Sequence, residues 1–411
     1  MACGPRSLDD NAGTSGGTSE LASGSASQSS SVSTSTVGTG VSDSTSDTPI
    51  DTGDASLDTG DPPLDAGVVL PSGMLWERRF DGETHNRDVG LCAVAADDDT
   101  IVVGGFEVLD AFGGSSRSWL ARLDGAGQLV WLEQHDRAFD EAVAVTPSGR
   151  VLTAGTAAAI PQGTGWLMAT AGYTPDGVEQ WRTGAPGAGA YEVVAVAEDA
   201  ITVGMTADLQ PMPWLARHDA SGDPVFSILG NPGSGGFAVT ADAETFVIAV
   251  ADIPDGDDVL GTRIETHNAM TGDPIGTPLY LEGLDPKAIT RDTSGIVLLA
   301  SSGDQMQVAR VGETGIEWSD TFGGMPLQFE WDMTLDPAGN IIIAGSQSFL
   351  QVGELRKYAA DGTLTWTREY LPGTEIEING VATTPSGDII AVGAIRSEET
   401  DWDIWVSRWS P

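Results

Sequence analysis

Lysine, cysteine and histidine are scarce in this 411-residue chain, which has two lysines, two cysteines and four histidines. Its 60 acidic residues against 19 Lys and Arg give a formal net charge of −41. Phosphate recognition needs clustered basic side chains, so the composition excludes a nucleic-acid-binding protein and predicts neutral or cationic partners. Two cysteines cannot form a disulfide scaffold, and the four scattered histidines predict no metal centre. No apolar run approaches the roughly 18 residues of a membrane-spanning helix.

Aromatic residues are absent before Trp76, and small polar residues dominate there instead. Ser, Thr and Gly make up 26 of the 40 residues from 11 to 50, a composition that buries too little apolar surface to offset the entropy of ordering the chain. Residues 51–67 repeat Asp-Thr-Gly-Asp-like units, which are typical of a self-repelling acidic linker. We therefore predict a disordered tether over residues 1–73 and one folded domain over residues 74–411.

The rest of the chain repeats one unit seven times. Each unit opens with two short apolar segments, rich in Ala, Val, Ile and Gly, that a turn connects. The first segments of the seven units begin at Cys92, Ala142, Val193, Phe237, Ala288, Trp331 and Val381. A more amphipathic pair of segments follows, most clearly between Trp119 and Trp131. Segments with a helical period over ten or more residues are absent, so the repeats are predicted to be strands.

One aromatic residue in the last segment of each unit marks the phase of the repeat. These markers are Trp76, Trp131, Trp181, Phe226, Tyr280, Trp318 and Trp366, at spacings of 55, 50, 45, 54, 38 and 48 residues. The spacings bracket those of four-stranded propeller blades. Small residues fit the crowded axis of such a ring, and tryptophans fit between neighbouring sheets. The sequence therefore predicts an all-β, seven-bladed β-propeller of four-stranded antiparallel blades.

The two ends of the repeat region predict how the ring closes. Residues 74–80 form an outermost strand with no blade of its own, and residues 403–409 form a strand that lacks an outer partner. Pairing these two strands would complete the seventh blade and remove the exposed edges of an open array. Closure of the ring by the N-terminal strand on the C-terminal blade is therefore predicted.

Several of these segments carry a resemblance to known proteins. Residues 318–324 (Trp-Ser-Asp-Thr-Phe-Gly-Gly) and 336–345 (Asp-Pro-Ala-Gly-Asn-Ile-Ile-Ile-Ala-Gly) resemble the bacterial seven-bladed β-propeller repeat of secreted and surface proteins. Residues 119–124 and 142–155 are similar to related repeats of myxobacterial-type lipoproteins. The resemblance spans about residues 74 to 411 and implies a fold, with little about function.

Two finer resemblances concern a cofactor and an anchor. The Gly-x-x-x-Trp turns are distantly similar to the tryptophan-docking motif of quinoprotein propellers, which also carry adjacent cysteines. This chain has only Cys3 and Cys92, so no quinone cofactor is expected. The segment Met-Ala-Cys-Gly at residues 1–4 resembles the lipidation motif of bacterial lipoproteins, which implies a lipid on Cys3 and a position at the outer membrane or cell surface, or secretion. The alternative is an ordinary thiol, because no apolar signal segment precedes Cys3 in this sequence.

Candidate binding residues lie where each inner strand is predicted to begin, because propeller ligands usually bind at the loops of one face. These residues are Asp140, Glu141, Tyr191, Glu192, Phe237, Lys287, Glu330, Trp331 and Asn379. Different chemistry at equivalent positions is typical of a binding face and also of unselected drift. Calcium at Asp252, Asp255, Asp257 and Asp258 is a second interpretation of an acidic loop that solvation explains better.

Three functions remain open from the sequence. The favoured hypothesis is a surface-tethered binding or scaffolding module of the bacterial envelope. Such a module would be monomeric, would bind a protein or glycan, and would touch the membrane only through its anchor. The alternatives are an extracellular lyase or hydrolase that uses Tyr191 and Glu141 over the axis, and a purely structural envelope protein.

Overall fold

The computed structural model describes residues 70–82, 86–109, 115–136, 138–158, 166–186, 189–206, 211–252, 261–323, 331–347, 352–397 and 401–411. These residues form 28 β-strands in seven four-stranded antiparallel sheets. Cys3, Glu330, Asp255, Asp257 and Asp258 lie outside the described residues, as does the predicted tether up to residue 69. Within the described ranges, no helix has the length and apolar character needed to cross a membrane.

The strands follow one another in meander order, so each blade is built from consecutive chain. Blade 1 contains β2 (Asp88–Ala95), β3 (Ile101–Val108), β4 (Ser116–Leu123) and β5 (Leu129–Asp136). Blade 2 contains β6 (Ala138–Val145), β7 (Val151–Ala158), β8 (Trp166–Tyr173) and β9 (Glu179–Pro186). Blade 3 contains β10 (Gly189–Val196), β11 (Asp199–Met205), β12 (Pro213–His218) and β13 (Pro224–Leu229).

The remaining four blades repeat this plan. Blade 4 contains β14 (Ser234–Ala241), β15 (Thr245–Asp252), β16 (Gly261–Asn268) and β17 (Pro274–Glu282). Blade 5 contains β18 (Asp285–Asp292), β19 (Gly295–Ser302), β20 (Gln305–Gly312) and β21 (Gly315–Phe322). Blade 6 contains β22 (Trp331–Leu335), β23 (Ile341–Gln347), β24 (Val352–Tyr358) and β25 (Leu364–Tyr370). Blade 7 contains β26 (Ile376–Thr383), β27 (Ile389–Ser397), β28 (Asp401–Trp409) and β1 (Met74–Phe80).

Each blade has one inner strand, and each inner strand lies against the inner strands of the two neighbouring blades. The inner strands are β2, β6, β10, β14, β18, β22 and β26. The last of these inner strands, β26, contacts the first, β2, so the ring is closed. The hydrophobic core lies between the blades, where small and branched side chains interdigitate. Seven buried clusters occupy the seven junctions, for example the one around Trp405 between blades 6 and 7. The predicted seven-bladed propeller is confirmed.

Closure of the ring follows the prediction as well. Strand β1 pairs antiparallel with β28 and becomes the outermost strand of blade 7, with Phe80 opposite Ile404. The Glu77 carboxylate on β1 accepts hydrogen bonds from the Tyr370 hydroxyl of blade 6 at 2.6 Å and from the Trp405 indole at 3.3 Å. Strand β1 therefore completes blade 7 and also links it to blade 6.

The ring has two ends, which antiparallel meanders make chemically different. We name the upper end the one where the inner strands begin; it also carries the connections between second and third strands. The lower end carries the turns between first and second strands and between third and fourth strands. Lower-end turns reuse one pattern, in which an aromatic ring of one blade packs on a turn glycine of the next. A Cβ atom on that glycine would lie 3.1 Å or less from the ring in five pairs: Trp76 and Gly127, Trp131 and Gly177, Trp181 and Gly222, Phe226 and Gly272, and Trp318 and Gly362.

The phase marker Tyr280 was wrongly matched to this pattern. Tyr280 pairs with Arg263 near the upper end of β17, and Ile275, opposite Thr266, stands at the position of the indoles. Blade 5 also lacks a turn glycine on which an aromatic ring packs. Its third and fourth strands are joined by only two residues, and nothing lies within 4 Å of a Cβ on Gly315. The junction between blades 4 and 5 therefore holds together without this aromatic contact.

Candidate functional site

The inner strands share a backbone irregularity near the upper end. In six of the seven, the pairing register with the second strand shifts across one unpaired residue, which is a β-bulge. We name these residues the bulge ring: Leu91, Glu141, Tyr191, Phe237, Lys287 and Asn379. Strand β22 begins at Trp331 and pairs with β23 without a shift. Bulges re-aim side chains, so the ring gathers five of the residues predicted from sequence at one level of the structure.

Two aromatic members of the bulge ring stack across a blade junction. The Tyr191 and Phe237 rings are nearly parallel, with centroids 5.7 Å apart and an interplanar angle of 3°. Gly235 permits this approach, because a Cβ there would lie 2.8 Å from the Phe237 ring. On the next blade, the Lys287 ammonium donates to Asp285 at 2.7 Å and keeps about a third of its side chain exposed. Blades 3 to 5 thus carry an aromatic pair, of which the Phe237 ring keeps exposed surface, followed by a cation.

The other polar members of the bulge ring are buried and hydrogen-bonded. Glu141 is 2% exposed, and its carboxylate accepts a hydrogen bond from the Thr156 hydroxyl at 2.9 Å. The Asn379 amide donates to the Gly90 carbonyl at 3.0 Å, which connects blade 7 to blade 1. These two residues support the ring and offer less free surface than the aromatic pair does.

Two predicted site residues are buried inside the blade junctions. Glu192 is 1% exposed and accepts a hydrogen bond at 2.6 Å from the backbone N–H of Val239 on the next blade. Burial raises the pKa of Glu192 well above its usual range, and the Asp332 carboxylate adds to the rise. Burial likewise raises the pKa of Asp140, against the lowering influence of Arg182. Their contacts with neighbouring blades indicate a structural contribution at this end.

The remaining predicted residues do not join the bulge ring. Trp331 is 8% exposed and packs edge-on against Phe322, with ring centroids 5.2 Å apart. Asp252, the described member of the predicted calcium group, forms an ion pair with Arg263 at 2.8 Å. Across the described ranges, no three His, Cys, Asp or Glu side chains converge as metal ligands. Cys92 is a buried free thiol on β2.

Sequence reasoning missed a second feature of the upper end. Five consecutive blades, from 7 through 1 to 4, each place one aromatic side chain there, and we name this set the aromatic arc: Trp402, Phe106, Phe139, Tyr191 and Phe237. All but Tyr191 are partly exposed. The signal for the arc in the sequence is an aromatic residue close to a strand end. Only some members of the arc stand at the beginning of an inner strand, so the positions predicted from the sequence include only part of the arc.

Below the bulge ring, the inner strands of blades 3 to 6 line a cavity of about 60 Å³, with Val194, Val239, Ile289 and Met333 among its lining residues. A volume of this size accommodates only small molecules such as water. Within the bulge ring, the side chains that keep exposed surface are the Phe237 ring and the Lys287 ammonium, which suit stacking and hydrogen bonding.

The fold and this site define a seven-bladed β-propeller with a structurally distinct upper end. No protein-family model and no curated protein matches the chain. Among solved structures it is similar to BamB from Moraxella catarrhalis (10% identity, 81% of this chain and 98% of that chain covered, TM-score 0.46). It is also similar to the Dos1 propeller (8%, 80% and 94%, TM-score 0.49) and to a protein of unknown function from Dyadobacter fermentans (9%, 82% and 98%, TM-score 0.48). At such low identity these likenesses concern the fold alone.

Proposed function

We propose that this chain is a protein-binding module and that the upper end of the ring contacts its partner. The observation that carries the proposal is the bulge ring. Six blades share one backbone irregularity, yet each places a different side chain on it. Packing around a crowded axis favours the same small residues in every blade, as the lower parts of the inner strands have them. Shared geometry with divergent chemistry is the pattern expected of a surface that binds a particular partner.

The exposed chemistry of the ring suits a protein partner. The partly exposed Phe237 ring, held in place by its stack on the buried Tyr191 ring, offers an aromatic contact at low cost in conformational entropy. Lys287 keeps its charge near solvent while Asp285 fixes its position. A rigid propeller scaffold holds these groups in place before a partner arrives, which lowers the entropy lost on binding.

A selection experiment tests this assignment with peptide ligands in place of the natural partner. Peptides selected from a random display library on the full chain are measured against a Phe237→Ala/Lys287→Ala variant and against Val178→Ala, an exposed lower-end position. We expect the double variant to weaken binding at least about tenfold, or roughly 1.4 kcal/mol, and the control to leave it unchanged. Selected peptides that bind the double variant as tightly as the parent, or no selected peptides at all, would contradict the proposal.

The same proposal includes a tethered position at the cell envelope. Its support is the Ala2-Cys3-Gly4 motif followed by a long Ser, Thr and Gly-rich segment, which together suit a lipid anchor and a spacer. The protein expressed from its native gene in a bacterial host is expected to incorporate labelled fatty acid and to sediment with membranes. A Cys3→Ala variant should lose both properties, and equal labelling of the two proteins would overturn the anchor.

A further inference from the structure

Two histidines occupy the same position in neighbouring blades but have opposite surroundings. His218 and His267 each lie on the third strand of their blade, opposite the proline that opens the fourth strand, Pro224 and Pro274 respectively. Both are buried, with 4% and 6% of their surface exposed. We propose that His267 is a pH-sensitive latch: with a proton on each ring nitrogen it holds the third and fourth strands of blade 4 together at the lower end, and it releases the turn between them when one proton is lost. The inference goes beyond the proposed binding function and does not depend on it.

Both ring nitrogens of His267 face hydrogen-bond acceptors. Nδ1 lies 2.9 Å from the Gly272 carbonyl oxygen, and Nε2 lies 3.1 Å from a carboxylate oxygen of Glu265. Neutral imidazole can donate from only one nitrogen, so the imidazolium alone forms both bonds. The ring also stacks on Phe246, with centroids 5.0 Å apart and an interplanar angle of 7°, a contact that favours a cation. Burial lowers the pKa of His267, but the hydrogen bonds to Glu265 and Gly272 outweigh burial and raise the pKa above its ordinary value of 6.5.

The equivalent residue of blade 3, His218, lacks such acceptors. Among the residues that the structure describes, its buried Nδ1 has no hydrogen-bond partner, and its ring lies beside Trp181 with centroids 6.0 Å apart. Burial therefore lowers the pKa of His218, against the raising influence of Asp219. The same position thus holds a neutral ring in blade 3 and a charged ring in blade 4. It follows that the partners of His267, and not its place in the fold, keep it protonated.

The backbone near His267 makes these two hydrogen bonds important. Strand β17 places three residues, 276–278, opposite the single residue Glu265, so its pairing with β16 is interrupted there. Below the interruption the two strands pair at only two positions, one of which is Pro274, and proline has no N–H to donate. His267 bridges the gap, because it bonds to Glu265 at the interruption and to Gly272 in the turn below it. Loss of a proton removes one of these bonds, so the turn and the beginning of β17 should open more often.

Glu265 is the charged group that raises the pKa of His267. Burial would raise the pKa of Glu265 itself, but hydrogen bonds from His267 and Arg263 outweigh burial and lower it. The other charged groups on the elements around the ring have partners of their own or are exposed. In the turns of blade 4 and in blades 3 and 5 these groups are Asp273, Arg217, Asp242, Arg291 and Glu244. The latch therefore contributes its full stability below pH 6.5, and the contribution is lost as the pH rises through the raised pKa of His267.

Histidine NMR tests the protonation state. The full chain is labelled with ¹³C in its four histidines, and single substitutions assign the signals of His267 and His218. We expect His267 to titrate above 6.5, with protons on both ring nitrogens below its midpoint, and His218 to titrate below 6.5. A midpoint for His267 at or below 6.5 would overturn the inference.

Hydrogen-exchange mass spectrometry tests the release. After correction for the intrinsic effect of pH on exchange, the segment 269–275 should exchange at least about tenfold faster above the His267 midpoint than below it, as loss of a charge-assisted hydrogen bond implies. The matching turn of blade 3, residues 219–224, is the internal control and should show no such step. Equal corrected rates on the two sides of the midpoint would contradict the latch.

Two variants separate the latch from a general effect of pH. His267→Gln cannot gain a charge and should abolish the step, with fast exchange throughout. Glu265→Gln keeps an acceptor for Nε2 but removes the carboxylate charge, so it should move the step to lower pH. Circular dichroism verifies folding; if His267→Gln fails to fold, Glu265→Gln decides alone, and an unmoved step refutes the proposal. None of these measurements involves a partner, so their failure leaves the proposed binding function standing.

Discussion

Buried charge is arranged differently at the two ends of the ring. At the lower end, cations and carboxylates are paired: Arg310 is 4% exposed and contacts Asp292 with two hydrogen bonds of 2.9 and 3.0 Å. This contact lowers the pKa of Asp292. At the upper end, some buried carboxylates are paired as well, such as Glu107 with Arg117 at 2.7 Å. Others are buried beside further carboxyl groups: burial raises the pKa of Asp88 to about 8, and Glu107, Asp81 and Asp403 add to the rise.

This difference accompanies the proposed division between a lower end that stabilises the ring and an upper end that contacts a partner. Paired charges and aromatic contacts recur from blade to blade at the lower end, as expected of groups that hold like sheets together. Buried carboxyl groups that resist ionisation cost stability at neutral pH. We therefore expect substitutions to destabilise at the lower end and, at selected positions, to stabilise at the upper end.

Removal of strand β1 should have the largest effect on stability, because this strand closes the ring and runs from its lower end to its upper end. Deletion of residues 74–80 removes the outer partner of β28 and the Glu77 carboxylate that links Tyr370 and Trp405. It also exposes the edge of β28, which favours aggregation. We expect loss of the cooperative thermal transition, measured by circular dichroism, together with aggregates in size-exclusion chromatography.

A matched deletion makes this result specific. Removal of residues 11–50, within the predicted tether, shortens the chain far more but should leave the melting temperature unchanged. If the shorter deletion kept the parent melting temperature, closure by β1 would be irrelevant to stability.

The repeat predicted from the sequence was sufficient for the fold. Apolar hairpins such as 142–155 recur because every blade packs against two similar neighbours. Seven copies could therefore be counted in the sequence, and the two unpaired end strands could be matched to each other. The error at Tyr280 has a local cause. Strand β17 carries an irregular register between the partners of Ile264 and Thr266, and aromatic spacing alone cannot reveal where Ile275 replaces an indole.

The site was only partly predictable. The position of the candidate site at the beginnings of the inner strands follows from topology, which is why Tyr191, Phe237 and Lys287 could be placed at one level of the ring from the sequence. The direction of each side chain depends on bulges and on residues far away in sequence. Glu192, for example, turns to the amide of Val239, 47 residues later, and its neighbours in sequence contain no sign of that contact.

Substitution of Asp88 tests the upper end. The pKa of this carboxyl is about 8 in the folded chain and 3.8 in an ordinary environment. Between these values the unfolded chain loses its proton while the folded chain keeps it, so stability falls as the pH rises. Asp88→Asn removes this dependence and keeps an acceptor for the Gly82 N–H. We expect a gain of several kcal/mol near pH 8, since each pKa unit corresponds to about 1.4 kcal/mol, and little change near pH 4.

Urea unfolding at several pH values measures this gain, and Asp361→Asn at the lower end is its control. Hydrogen bonds from Thr363 lower the pKa of Asp361, so its substitution should bring no gain as the pH rises. A destabilised Asp88→Asn protein near pH 8 would contradict the view that the upper-end carboxyl groups cost stability.

Substitution of two glycines with positive φ tests the lower end, with a smaller expected effect. Gly177 has φ of 89°, and an added Cβ would lie 2.8 Å from the Trp131 ring, whose indole N–H donates to the Pro175 carbonyl at 2.9 Å. Gly283 has φ of 71° with nothing within 4 Å of the Cβ position. Both alanine variants incur about 1 to 2 kcal/mol of backbone strain, but only Gly177→Ala must also displace the indole. We expect urea unfolding to place Gly177→Ala about 2 kcal/mol below Gly283→Ala, because displacement loses packing and a hydrogen bond. Equal losses in the two variants would mean that the indole yields freely and that lower-end stability resides in the arginine pairs instead.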